Sequence, residues 1–264
     1  MMSLFRKKRL RLCLFGDSHL AALKRHWLDI ASPDRPVDLT FIAGVRDTLT
    51  MIEARAGCLH PRDRVVAGQF NSQLDGADRL DTRQFDGFVL IGLGLRFQTA
   101  LATALTFAVH GAGEGRRLVS AAAMRAAMRD YLQHAAAVSI AETLRGATDR
   151  PIFVLPQAMP SERFAKRAAY RALDGNAIET AYREAFAAIA ALLDPFGVEI
   201  LAQDPETRTE NGMTRDIYSA GSVRMIGDLD VPHEARDHTH MNPDYGAVQL
   251  RQILDAASAA RAIS

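Results

Sequence analysis

At 264 residues the chain is long enough to bury a full core, yet within the size that one α/β domain occupies. Its 32 Lys+Arg stand against 31 Asp+Glu, a formal charge of +1 with both signs interspersed, so nothing in the charge calls for nucleic acid or an anionic membrane. Two cysteines argue against a disulfide framework, no stretch reaches the ~20 apolar residues of a membrane span, and a 48% hydrophobic, 7% aromatic composition favours helices packed on a sheet over an all-β sandwich.

In chain order, residues 1–9 read as a basic tail. The apolar run that follows is too short for a signal peptide and lacks a small-residue cleavage site, which points to a cytoplasmic protein. Leu10 to Phe15 is the first strand, ended by Gly16, and Leu20, Leu23, Trp27 and Ile30 then recur at helical spacing. Pro33 and Pro36 break the chain before a second strand, Val37 to Ala43, which stops at Gly44. Residues 57–85 are polar and turn-rich and read as a long excursion. Phe88 to Leu93 is the third strand.

A helix around Ala100 to His110 ends in the loop Gly111–Gly115. This loop lacks the Lys-Ser/Thr ending of a phosphate loop and follows a helix, so nucleotide binding is not expected. One longer helix follows, with Met124, Met128, Tyr131, Ala135 and Val138 along one face. Pro151 opens a fourth strand, Ile152 to Leu155. The next helix carries Ile178, Tyr182, Phe186, Ile189 and Leu193 on one stripe, and Gly197 turns the chain into a fifth strand, Val198 to Ala202. Residues 203–236 are irregular, and a final helix from about Tyr245 turns Leu250, Ile253, Leu254 and Ala257 inward. Five apolar runs separated mostly by helices predict an α/β fold: a three-layer α/β/α sandwich on a mainly parallel five-stranded sheet, in a single domain spanning 1–264.

In such a sheet the ligand crevice lies outside the carboxyl ends of the strands. There stand Gly16-Asp17-Ser18-His19 after the first strand, Gly44 after the second, Gly92 and Gly94 after the third, and Asp237 to Gly246 after the fifth. Ser18, at the start of the first helix, sits where free N–H groups and the helix dipole favour a developing oxyanion. A serine hydroxyl needs a base to take its proton. His240 supplies one, and Asp237, three residues earlier, can fix its tautomer.

Gly16-Asp17-Ser18 after the first strand, a glycine after the second, and Asp-x-x-His before the last helix together resemble the SGNH, or GDSL-like, hydrolases. The resemblance runs from residue 10 to 257. It implies a serine esterase acting through Ser18 as nucleophile, His240 as base and Asp237 as orienter, with the N–H groups of Ser18 and Gly44 in the oxyanion hole. It also implies that no cofactor or metal is needed, and that the substrate is a small-molecule or carbohydrate ester with a short acyl group such as acetyl. The third block departs from the family. Where Gly-x-Asn-Asp is usual, the chain reads Gly92-Leu93-Gly94-Leu95-Arg96-Phe97, so the asparagine donor is missing. Loss of one such donor typically costs about 2.7–4 kcal/mol of transition-state stabilisation, and Arg96, Gln98 or Asn71 are the side chains available to replace it.

Plainer roles stand beside these. Asp17 or Ser18 can merely cap a helix, Gly44 can simply end a strand, and Arg46 and Arg96 read as solvated arginines. His26, His60, His110 and His134 have no partners at useful spacing. Two other functions compete: a metal hydrolase built on His233, Asp237, His238 and His240, and a non-catalytic binding module whose altered third block keeps affinity without turnover.

Overall fold

The computed structural model describes residues 9–109, 117–167, 170–226 and 229–263. The basic tail up to Lys8, together with His110 and the Gly111–Gly115 loop, lies outside the described residues. Strand β1 (Arg11–Gly16) buries every side chain after its first, and helix α1 (Leu20–Asp29) follows a tight turn. β2 (Asp38–Ala43) then pairs parallel to β1, in register from Arg11↔Asp38 to Gly16↔Ala43. β3 (Ile52–Arg55), β4 (Cys58–Pro61) and, beyond helix α2 (Arg64–Gln73), β5 (Leu80–Asp81) form a small antiparallel sheet. β6 (Gly87–Ile91) returns to the main sheet. After it come α3 (Gln98–Thr106), the short parallel pair β7 (Phe107–Val109) and β8 (Arg117–Val119), α4 (Ala121–Leu132), α5 (Ala136–Ala147) and β9 (Ile152–Leu155). The chain ends with α6 (Gly175–Leu193), β10 (Val198–Ile200), the hairpin β11 (Val223–Ile226) and β12 (Leu229–Pro232), and α7 (Pro243–Ile263).

The main sheet has the order β10-β9-β6-β1-β2, all parallel. Parallel strands require crossovers, and the crossover helices cover both faces, so side chains of alternating sides are buried alike. Cys13, Phe15, Phe88, Leu90, Ile152 and Val154 meet a core shared with α2 to α6, whereas Leu12, Leu14, Val89, Ile91, Phe153 and Leu155 pack under α1 and α7. The architecture is thus a three-layer α/β/α sandwich on a five-stranded parallel sheet. At the free edge, the Gln73 side-chain amide accepts from the Ala43 N–H (2.6 Å) and donates to its carbonyl (3.0 Å), standing in for a ladder partner at the end of β2.

Four segments differ from the sequence reading, the first being the helix expected over Ala100 to His110, which ends at Thr106 and gives way to strand β7 at Phe107–Val109. Residues 57–85 are no bare excursion: Cys58, Leu59, Val66, Phe70 and Leu80 are buried, and Asp63 caps α2 by accepting from the Val66 N–H at 2.8 Å. The long helix expected through Met124 and Val138 is two helices, broken at Gln133–Ala135, and Tyr131 is 46% exposed, off the inward face. Residues 203–236 contain the β11–β12 hairpin, whose partners run from Val223↔Pro232 to Ile226↔Leu229. Among the described residues, no helix is long and apolar enough to cross a membrane.

Candidate active site

Register sets the frame. Gly16, Ala43, Ile91 and Leu155 lie side by side at the carboxyl rim of the sheet. Two residues beyond Gly16, the chain makes the turn that opens α1. Asp17 Oδ1 accepts from the His19 N–H at 3.0 Å, and the Asp17 carbonyl accepts from Leu20 at 3.1 Å. Ser18 is left exposed on this turn, and its own N–H has no acceptor among the described residues. Gly92 permits the turn: a Cβ there would stand 2.7 Å from Asp17 Oδ1 and 3.1 Å from His19 Cβ, and its φ is +72°.

The second half of the site comes from the turn before α7. Asp237 Oδ1 accepts from the N–H groups of Thr239 (2.8 Å) and His240 (3.0 Å), while Oδ2 accepts from His240 Nδ1 at 2.7 Å. With that proton on Nδ1, the other ring nitrogen is a lone-pair acceptor, and Ser18 Oγ donates to His240 Nε2 at 2.8 Å across 222 residues of sequence. The Asn242 side chain and one glycine-tight contact hold the halves in place. Asn242 Oδ1 accepts from the Tyr245 N–H at 3.2 Å and its amide donates to the carbonyls of Ile217 and Ala220, which anchors the start of α7. A Cβ on Gly246 would lie 2.2 Å from the Ala22 carbonyl oxygen, so α7 rests backbone against backbone on α1.

His240 is also covered on its faces. The His19 ring stacks on it at 4.7 Å between centroids with 15° between planes, and the His233 ring at 4.1 Å and 14°. Burial, helped by the charges of His240 and Arg96, lowers the His19 pKa to about 4 against the pull of Asp17 and Asp237. Burial and His240 likewise lower that of His233. Partial burial works against ionisation of Asp237, but the hydrogen bonds from the His240 ring and the two N–H groups outweigh it, holding the carboxyl well below the ordinary range.

The structure therefore sets Ser18, His240 and Asp237, the residues named from the sequence, in one hydrogen-bonded chain. Gly44 is a correction. Its N–H donates to the Gly16 carbonyl at 3.0 Å as one more rung of the β1–β2 ladder, and a Cβ there would meet Leu49 Cγ at 2.4 Å. The residue closes a strand and makes room for Leu49, and its donor is spent. Among the side chains named for the missing third donor, Asn71, on α2, donates its amide to the carbonyl of Gly76 just beyond the helix (3.1 Å). Arg96 is exposed, with no hydrogen-bond or ion-pair partner among the described residues, and its charge is felt at His19. His238 is buried edge-on to Phe164, outside the stack. His233, Asp237 and His240 each offer a ligand atom within 4.8 Å of the others. Yet both His240 nitrogens and both Asp237 oxygens are committed to hydrogen bonds, and two rings lying face to face do not aim their in-plane lone pairs at one ion. The flanking roles of His19 and His233 escape sequence reading, since only the folded hairpin brings residue 233 over residue 240.

No family model and no curated protein matches the chain. Among solved structures it is similar to one described as a GDSL-like lipase of Bacteroides ovatus, at 12% identity and TM-score 0.42, covering 96% of this chain but 54% of that one. The chain thus spans about half the length of that structure. It is also similar to an extracellular lipase of Streptomyces rimosus (14%, TM-score 0.44, 94% and 99% covered). A third is the periplasmic domain of a lipopolysaccharide acetyltransferase of Salmonella ser. Paratyphi A (10%, TM-score 0.43, 95% and 84%). At TM-scores below 0.5, what the chain does must be read from the site itself.

Proposed function

We propose that the chain is a serine acyl hydrolase that cleaves a short-chain O-acyl ester, an acetyl ester of a carbohydrate being the leading candidate. The observation that carries this reading is the continuous relay from Ser18 Oγ to His240 Nε2 (2.8 Å) and from His240 Nδ1 to Asp237 Oδ2 (2.7 Å). In the proposed reaction His240 takes the Ser18 proton as the oxygen attacks the ester carbonyl, and Asp237 stabilises the imidazolium that forms. The unpaired Ser18 N–H is the donor at hand for the oxyanion. Collapse of the tetrahedral intermediate passes the proton from His240 to the departing alcohol. Water, deprotonated by the same ring, then releases the acid and frees Ser18. An exposed Ser18 on an open rim suits a bulky alcohol such as a sugar better than a long buried acyl chain.

A fluorophosphonate probe tests the nucleophile: wild type is labelled and Ser18→Ala is not. p-Nitrophenyl esters of graded chain length, run beside acetylated oligosaccharides, then identify the acyl group, with the shortest turned over fastest. One observation favours a second reading. With Gly44 engaged and no asparagine in the third block, a single backbone donor of the expected oxyanion set is free, as in a binding module that has lost turnover. Absence of any probe labelling in folded wild-type protein selects that reading.

A further inference from the structure

We propose that His19 and His233 are positioning residues that grip the His240 ring from both faces, an inference that rests on the acyl-transfer reading. The three imidazoles form a near-parallel column with His240 in the middle, at 4.7 and 4.1 Å between centroids and 15° and 14° between planes. Each ring comes from a different element. His19 leaves the β1–α1 turn, pinned through its N–H to Asp17. His233 follows β12, its N–H donating to the Ser222 carbonyl at 3.1 Å and its Nδ1 lying 3.3 Å from Ser222 Oγ. The hairpin that delivers His233 is tied to α1 by the Arg25–Asp230 ion pair at 2.8 Å. The turn carrying Ser18 and the hairpin therefore close on His240 from opposite sides.

The column does what the relay cannot. Hydrogen bonds to Ser18 and Asp237 lie in the plane of the His240 ring, so they leave it free to tip and swing about the Asp237 contact. Once Ser18 Oγ becomes acylated, its hydrogen bond to Nε2 is gone, and the contacts that remain, Asp237 Oδ2 at 2.7 Å and Thr239 Oγ1 at 3.4 Å, both hold the Nδ1 end of the ring. A ring held on both faces keeps Nε2 aimed where the alcohol leaves and the water enters, through a cycle in which it gains and loses a proton twice. Burial keeps the two flanking imidazoles neutral near pH 7, so they present polarisable faces to His240 when it is charged.

The test uses His19→Ala, His233→Ala and the corresponding Phe variants, assayed on p-nitrophenyl acetate and checked for folding by circular dichroism. Each Ala variant is expected to lower kcat by about tenfold to a hundredfold with KM little changed. Each Phe variant, which restores a flat face without a titrating nitrogen, should recover to within about threefold of wild type. A second readout needs no catalysis. In the Ser18→Ala background, the His240 ring protons, assigned against His240→Gln, sit upfield under the currents of their neighbours and move downfield when either neighbour is replaced by Ala. Unchanged kcat in both Ala variants, Phe variants as impaired as Ala, or unmoved His240 signals each overturn the grip. If wild type neither hydrolyses esters nor takes the fluorophosphonate, the acyl-transfer reading fails, and the ring-current readout still decides whether the column exists.

Discussion

Asp237 spends its two oxygens on two separate tasks: Oδ1 shapes the turn through the Thr239 and His240 N–H groups, and Oδ2 sets the tautomer of the His240 ring. The tasks separate on substitution. In Asp237→Asn the amide oxygen can keep the turn, while the amide NH₂ faces Nδ1 and drives the proton to Nε2, where it blocks uptake from Ser18. Turnover of p-nitrophenyl acetate should fall on the order of 10⁴-fold with little change in melting temperature. Full activity in this variant would remove Asp237 from the relay. At this scale the sequence is legible where a short spacing does the work: Asp-x-x-His closes over one turn, and Gly-Asp-Ser sits at a strand end. Gly44 shows the limit. A glycine after a strand looks the same whether its N–H faces a crevice or completes a ladder, and here it completes one.

At the scale of elements, Ser18 and His240 meet because the helices that begin just after them, α1 and α7, pack at Gly246. There a Cβ would stand 2.2 Å from the Ala22 carbonyl oxygen and 2.8 Å from Leu23 Cα. Those atoms are backbone and no side chain can swing aside, so the helices must part. Gly246→Ala should destabilise the fold by about 1–3 kcal/mol, read as a lower urea midpoint, and should lower kcat as the 2.8 Å Ser18–His240 contact opens. A midpoint equal to wild type would show that the contact yields at no cost. The three central strands, β1, β6 and β9, are legible because each is a continuous apolar run stopped by glycine or proline, the pattern of a strand covered on both faces, whereas the edge strands β2 and β10 carry Asp38, Thr40 and Glu199 and are marked mainly by the Pro36 and Gly197 before them. The small sheet of β3 to β5 is not, because strands of two to four residues are too short to display a period. The α4–α5 break is hidden because Gln133-His134-Ala135 holds no glycine or proline to mark it.

For the whole molecule, the partial enclosure of His19 and His233 beside the hydrogen-bonded Asp237 becomes a dependence of stability on pH. His19 titrates near 4 in the folded protein against an ordinary value of 6.5. Between those values the unfolded chain therefore binds a proton that the folded chain refuses, and stability falls as pH drops through that window. His233, also lowered, adds to the same loss. Asp237, lowered as a carboxylate, extends it in the same direction below its unfolded value of 3.8. Thermal melts from pH 7.5 to 3.5 should show a melting temperature that declines from about pH 6.5 downward, with a shallower decline in His19→Phe. A flat profile across pH 6.5 to 4 would contradict the burial of these rings.

Apolar runs and their punctuation determine the layers, the strands of the main sheet and the carboxyl rim on which chemistry is to be sought, because burial on both faces is a local demand that each central strand meets alone and the turn residues mark where the edge strands start and stop. The sequence also names Ser18, Asp237 and His240, since two of them are close in the chain and the third marks a strand end, and the structure sets the three in one hydrogen-bonded chain. Only the tertiary structure decided which glycine donors are free and which rings enclose His240. Those depend on ladder register, on backbone contact between α1 and α7, and on a hairpin folded against α1, all relations between segments far apart in the chain that no single segment encodes.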